Sequence, residues 1–389
     1  MNTLPENLAH PWPRLVFWET TAACNLVCSH CRRTEVADKI SPDELSSEEA
    51  ESLIDELSGW GRTILVLSGG EPLLRPDIFH LLKYANEKGL VVALATNGTL
   101  IDQSLAKRIR ESGVHRVSIS LDGADEPTHD AFRRLPGSFR SAVAGVQALR
   151  AEGVPIQINV TVARHNADQL DEMVSLAKNL GAVALHLFLL VPVGCGMEIA
   201  EEQTLRADAY EETLSWLYET ERRELDLQLR ATCAPHYFRV VRQQQAAHAD
   251  LDGSSPGSRV GHPGHGVTGS ERGALHAATR GCLAGTGVCF VSNSGKVYGC
   301  GYMPIEAGDL RRTALSEIWQ TSEFFADLRD LGRLKGKCGH CGFDKVCGGC
   351  RARAYGSTGD YLAEEPFCAY QPGGRSGLLP VGSKFQGGE

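Results

Sequence analysis

From Leu15 to Leu190 the chain alternates short apolar, β-branched runs with helical stretches, and this alternation restricts the fold more than any other feature. The candidate strands are Leu15 to Thr20, Thr63 to Leu67, Val91 to Ala95, Arg116 to Leu121, Ile156 to Ala163 and Ala184 to Leu190. They are nearly continuous in apolar residues, as strands of a parallel sheet covered on both faces must be. The joints carry matching chemistry. Ser46 and Glu49 form a capping-box signature ahead of Ala50, Leu53, Ile54 and Leu57, which fall on one helix face. Gly89, Gly113, Gly153 and Gly181 each stand where a helix must end in a left-handed residue before the next strand. Six strand-helix units predict an α/β fold, a partial (β/α)6 barrel, with its active site at the C-terminal ends of the strands.

The loop after the first strand reads Thr21-Ala22-Ala23-Cys24-Asn25-Leu26-Val27-Cys28-Ser29-His30-Cys31. Four thiolates normally close an iron-sulfur cluster. Three therefore suggest a cluster whose last position belongs to a small molecule. Structural zinc usually draws four ligands in paired blocks, and only His30, lying between ligands, is a nearby fourth donor. The chain has 13 cysteines, an odd and high number for a reducing compartment, where metal or redox work explains them better than disulfides. Three precede residue 32, Cys195 and Cys233 stand alone, and eight fall between Cys282 and Cys368. Two separate cysteine-rich sites are implied, with Cys195 and Cys233 read as buried inert thiols.

Composition excludes several roles. The net charge of -9, with no Lys/Arg-rich run, argues against nucleic acid or an anionic membrane as partner. The N-terminus has neither the basic start nor the apolar stretch of a signal peptide, so a cytoplasmic location is expected. The most apolar window, Ala182 to Ala200, is broken by His186 and Pro192 and reads as a strand and loop, not a membrane span. Residues 1–13 are expected to form an arm, 14–200 the partial barrel, 201–244 a helical connection and 245–280 a flexible Gly/Ser/His-rich insertion. His262 and His265 in that insertion are either metal or heme-iron ligands or part of a solvated linker. A cysteine-rich domain over 281–371 and a disordered tail over 372–389 complete the division.

Further motifs follow the strands in order. Ser68-Gly69-Gly70-Glu71-Pro72 comes after the second, Ala95-Thr96-Asn97-Gly98 after the third, Ser118 to Gly123 at the fourth, and Arg133 in the next helix. With the cysteine spacing, they resemble the radical S-adenosylmethionine (SAM) enzymes. The resemblance implies that Cys24, Cys28 and Cys31 hold a 4Fe-4S cluster that binds SAM. It implies that Gly69, Gly70 and Glu71 receive the methionine amino group, with Asn97 at a matching position. Ser120 would contact the ribose and Arg133 the carboxylate. Glycines suit a strand whose backbone must approach the ligand closely.

Downstream, Cys282, Cys289 and Cys300 precede Cys338-Gly339-His340-Cys341, Cys347-Gly348-Gly349-Cys350 and Cys368, eight thiols that would complete two further clusters. The pattern resembles the SPASM iron-sulfur extension, although Cys347 and Cys350 enclose two residues where the usual motif has three. By that resemblance Cys282, Cys289, Cys300 and Cys350 hold one auxiliary 4Fe-4S cluster, and Cys338, Cys341, Cys347 and Cys368 another. Full ligation would suit both to electron transfer.

The stretch from Arg14 to about Gln371 resembles the heme b synthases of the siroheme-dependent pathway. The carrying segments are Arg14 to Cys24, Cys31-Arg32-Arg33, Leu190 to Gly196, Arg280 to Gly287 and Cys350 to Tyr355. This implies an iron-porphyrin substrate, two propionates converted to vinyl groups, and a low-potential electron donor such as ferredoxin or flavodoxin. Propionates favour bidentate guanidinium partners, and Arg32, Arg33, Arg351 and Arg353 are candidates. A peptide-modifying SPASM enzyme would share the cluster ligands, and side-chain removal from a siroheme derivative is chemically close. A non-enzymatic iron-sulfur carrier would explain the cysteines but not Gly69-Gly70-Glu71-Pro72.

Overall fold

The computed structural model describes residues 12–33, 39–61, 63–252 and 281–373. Six parallel strands, β1 (Leu15–Glu19), β2 (Ile64–Ser68), β3 (Val91–Thr96), β4 (Arg116–Ser120), β5 (Ile156–Val162) and β6 (Ala184–Leu189), fall within a residue of the expected runs. Each neighbour pair in this series is parallel. Between them lie α1 (Ser47–Ser58), α2 (Ile78–Glu87), α3 (Gln103–Glu111), α4 (Glu126–Arg133), α5 (Ser138–Ala151) and α6 (Leu170–Asn179). The Ser46–Glu49 capping box closes the start of α1 in both directions and is worth about 1 kcal/mol. The same helix buries Ala50, Leu53, Ile54 and Leu57. Each larger side chain contributes roughly 1.5–3 kcal/mol by leaving water. Gly89, Gly113, Gly153 and Gly181 take φ values between +73° and +83°, which only glycine adopts freely.

The segment expected to be a helical connection departs from that reading. After α7 (Ala207–Arg223) the chain forms a seventh parallel strand, β7 (Gln228–Thr232), beside β6. Then α8 (Tyr237–Asp252) runs beyond residue 244 into the span read as a flexible insertion. The rest of that insertion, with His262 and His265, and the tail from residue 374 lie outside the described residues.

The cysteine-rich region also joins the sheet. β8 (Val288–Val291) pairs in parallel with β1, and β9 (Lys296–Tyr298) and β10 (Glu306–Asp309) follow as antiparallel strands. The final order is β10-β9-β8-β1-β2-β3-β4-β5-β6-β7. A further helix, α9 (Arg351–Thr358), starts directly after Cys350 and precedes Cys368.

Alternate strand residues face opposite sides of a sheet. In β4 to β7 the set that faces away from the buried aliphatic residues is polar apart from Ala184 and Phe188 of β6, and register aligns Ser120 with Asn159, Asn159 with His186, and His186 with Arg230. The Gln157 amide joins this face, 2.7 Å from Asn159 Oδ1 and 3.0 Å from His186 Nδ1. One face thus stabilises the fold through aliphatic burial, and the other presents hydrogen-bonding groups. Among the described residues, no helix is long and apolar enough to cross a membrane.

Candidate functional site

The loop of Cys24, Cys28 and Cys31 is held from several strand ends at once. The N–H groups of Gly70 and Glu71 donate to the carbonyls of Thr21 and Ala23, both at 2.7 Å. The approach is so close that a Cβ on Gly70 would overlap the carbonyl oxygens of Ala22 and Ala23. Glycine is therefore demanded first by the protein's own loop. From the other side Glu44 accepts from the Ala22 N–H at 2.8 Å and from the Thr21 hydroxyl at 3.0 Å.

Glu71 is fully buried and accepts three bonds: Thr96 Oγ1 at 2.7 Å, the Asn97 N–H at 2.8 Å and the Leu73 N–H at 3.1 Å. Burial raises its pKa, against these donors. Its carboxylate ties β2 to β3 beneath the thiol loop. Asn97 extends this network, donating from Nδ2 to Asn25 Oδ1 at 2.8 Å with Cys24 Sγ 4.0 Å away. Ser120 is half-buried at the end of β4.

Helix α4 buries His129, Phe132 and Arg133 on one face. The Arg133 guanidinium lies 2.6 Å from the Asp122 carboxylate and 3.7 Å from Cys28 Sγ. His30 is stacked on Phe132 at 4.2 Å and lies 3.6 Å from Asp122. Burial lowers its pKa to about 3, with Asp122 opposing. Burial also pushes the Cys24 thiol up to about 11, and Glu71, Cys28 and Cys31 add to the rise. Burial raises the Cys28 thiol as well, and clustered thiols held as thiols in this way gain from a cation that replaces their protons. With His30 committed to Phe132 and Asp122, this donor set fits a metal cluster with one position left over.

The four arginines proposed for substrate carboxylates are all engaged. Arg32 and Arg33 both pair with Glu19, Arg33 at 2.8 Å. Arg32 also lies 4.4 Å from the centre of the Phe290 ring. Arg351 is buried and donates to the carbonyls of Gly349, Tyr361 and Ala363. Arg353 is fully buried, bidentate on Glu365 at 2.9 and 3.1 Å, and bonded to the Cys233 carbonyl. Arg351 and Arg353 are therefore internal braces, because their donors are consumed by the fold itself.

The distal thiols divide unequally. Cys338, Cys341, Cys347 and Cys368 line one cavity together with Arg239 and Lys337, as the expected quartet requires. Among the described residues no three His, Cys, Asp or Glu side chains converge on a single metal ion. A four-iron cluster is wider than one ion, and four thiols around a cavity suit it better. The members of the other expected quartet have different surroundings. Cys282, Cys300 and Cys350 act on one another electrostatically, whereas the charged neighbour of Cys289 is Glu56 of α1. Cys233, read as a leftover thiol, has its pKa raised by burial and then by the charges of Cys350, Cys300 and Cys282. Sequence spacing hid this coupling, since residue 233 follows β7 far upstream of the cysteine-rich segment.

Comparison with known proteins agrees with this two-part arrangement. Residues 18–177 match the Radical SAM superfamily, and residues 282–350 match SPASM, the iron-sulfur cluster-binding domain. The chain is 48% identical over 361 residues to the AdoMet-dependent heme synthase of Methanosarcina barkeri, covering 93% of this chain and 97% of that protein. It is 44% identical to the AdoMet-dependent heme synthase of Nitratidesulfovibrio vulgaris, covering 93% and 94%. The SAM-bound crystal structure of Streptococcus suis SuiB shares the fold, with a TM-score of 0.71 at 16% identity, over 92% of this chain and 78% of that one. The chain therefore belongs to the radical SAM superfamily with a SPASM extension, in the family of the AdoMet-dependent heme synthases.

Proposed function

We propose that this enzyme is an oxidative decarboxylase that converts two propionate side chains of iron-coproporphyrin III into vinyl groups, giving heme b. The observation that carries the reading is the 44–48% identity to AdoMet-dependent heme synthases over 93% of the chain. Heme synthesis by radical SAM chemistry and a 4Fe-4S cluster that binds SAM follow from that membership, as do further iron-sulfur clusters in the SPASM part. When bound, these groups supply a hydrogen-abstracting radical from SAM and a one-electron acceptor.

Cys24, Cys28 and Cys31 would hold the SAM-binding cluster, and Cys338, Cys341, Cys347 and Cys368 an auxiliary one. Gly69, Gly70, Asn97, Ser120 and Arg133 would line the SAM site. Glu71 would act chiefly by fixing the Gly69-Gly70 backbone, since its oxygens already accept three bonds. The chemistry demanded of each substrate arm is defined: a propionate loses one hydrogen atom from its β-carbon, carbon dioxide and one electron, leaving a vinyl group. The polar face of β4 to β7 gives a porphyrin's polar groups hydrogen-bonding partners, and burial of the loop excludes water from a reactive radical. A low-potential protein such as ferredoxin or flavodoxin would supply electrons.

Anaerobically reconstituted enzyme given SAM, a reductant and iron-coproporphyrin III is expected to yield heme b, read by mass spectrometry. Release of 5′-deoxyadenosine with no change in porphyrin mass would overturn the substrate assignment and leave the radical chemistry intact.

A further inference from the structure

Cys289, counted among the auxiliary ligands by spacing, and Cys233, left over by it, occupy different parts of the fold. Cys289 lies in β8, in register with Val16 of β1, and is fully buried. The next residue, Phe290, points to the face where its ring meets the guanidinium of Arg32. Adjacent strand residues face opposite sides, so Cys289 faces the helical layer. There its charged neighbour is Glu56 of α1. The Glu56 carboxylate is itself occupied, accepting from the N–H groups of Leu315 and Ser316 at 3.0 and 2.7 Å.

Cys233 is placed quite differently. It follows directly on β7 and holds φ at +57°, a left-handed conformation costly for a residue with a Cβ. Backbone outliers of this kind persist where surrounding structure imposes them, and they concentrate at functional sites. The imposing contacts are visible. The Cys233 carbonyl takes a bond from Arg353, three residues beyond Cys350. Arg353 is bidentate on Glu365, whose Oε2 accepts the Cys350 N–H at 2.7 Å. Cys233 and Cys350 are thus joined through one buried ion pair.

On the other flank Pro235 packs against Gly281 so tightly that a Cβ there would stand 2.6 Å from the proline Cβ. Cys282 is the next residue, and its N–H bonds the Cys347 carbonyl at 3.3 Å. Cys300, which follows β9, acts electrostatically on Cys233, as do Cys350 and Cys282, all adding to the effect of burial. The Tyr302 hydroxyl feels Cys233 and Cys300 together.

We propose that Cys233 is the fourth protein ligand of the auxiliary iron-sulfur cluster held by Cys282, Cys300 and Cys350, and that Cys289 is a thiol of the hydrophobic core. The assignment rests on the SPASM reading of the distal cysteines. It gives the cluster ligands from the end of β7, from the segments flanking β8 and β9, and from the start of α9. Those elements belong to opposite ends of the strand order. The cluster would therefore fasten the β7 side of the open sheet to the SPASM region.

The test compares anaerobically reconstituted full-length proteins by iron and sulfide content and by the electron paramagnetic resonance spectrum of the reduced state. Wild type should hold about twelve irons if three clusters of four form. Cys289→Ala should match wild type in both readouts. Cys233→Ala should either lose about four irons or keep them with one cluster signal altered, in both cases matching Cys282→Ala. Cys233→Ser, which preserves volume and offers oxygen, should alter the same signal and controls for misfolding. Unchanged iron and an unchanged spectrum in Cys233→Ala would overturn the assignment, whatever Cys289→Ala does. Loss of the same cluster in Cys289→Ala would also overturn it. A wild type with about four irons would overturn the auxiliary-cluster reading beneath it.

Discussion

Asp122 sets the charge balance around the first thiol loop. It is fully buried, and the nearby Arg133 guanidinium holds its carboxyl well below the usual carboxylate range although burial pushes the other way. Its backbone N–H donates to Nδ1 of His129 at 3.0 Å, so that nitrogen must carry a lone pair. Burial, then Arg133, lowers the His129 pKa to about 4, against the pull of Asp122. The sign of the pH effect follows. Below about pH 6.5 the unfolded chain protonates this histidine while the folded protein does not until about pH 4. His129 alone should therefore lower folding stability by about 1.4 kcal/mol per pH unit across that window. Thermal unfolding of the anaerobic protein from pH 7 to pH 4 should show this loss, with a shallower slope in His129→Asn. Equal slopes would mean that His129 is not the buried neutral group described.

At the scale of elements, the junction between β2 and the thiol loop is the most demanding. A Cβ at Gly70 would meet backbone on the facing loop, which cannot rotate aside as a side chain can. Gly70→Ala should displace Ala22 and Ala23, and with them Cys24. Iron retention and SAM affinity should fall, the latter by roughly tenfold, or about 1.4 kcal/mol. Gly89→Ala is the control, since its φ is +83° and no atom lies near the added methyl. It should cost about 1 kcal/mol of stability and leave SAM binding unchanged. Equal SAM affinity in both variants would mean that the contact does not position the loop.

The same scale shows what sequence can and cannot reveal. β1 to β6 were legible because apolar runs bounded by glycine-ended helices have few other readings. β7 was obscured because Gln228-Leu229-Arg230-Ala231-Thr232 carries only two apolar residues, although its strict alternation is itself a strand signal. Arginine type advertised carboxylate binding, but Arg353 finds its carboxylate in Glu365 within the fold, a pairing no periodicity reveals. Cys289 stands close to the other distal cysteines in sequence, but which face of β8 it occupies is set by pairing with β1, which spacing does not show.

For the whole molecule, the sheet is the common frame. β8 binds the cysteine-rich region to β1, from whose end the first thiol loop departs. The segments that follow the two thiol groups also meet: a Cβ on Gly301, next to Cys300, would stand 3.7 Å from the side chain of Arg32, next to Cys31. In the proposed reaction, radical initiation at the first loop is coupled to vinyl formation on an iron porphyrin. The most direct measurement counts both products in one anaerobic reaction with SAM, reductant and iron-coproporphyrin III. The expected yield is about one 5′-deoxyadenosine per vinyl group, hence about two per heme b, and neither product in Cys24→Ala. Vinyl formation without deoxyadenosine, or SAM cleavage that persists in Cys24→Ala, would contradict it.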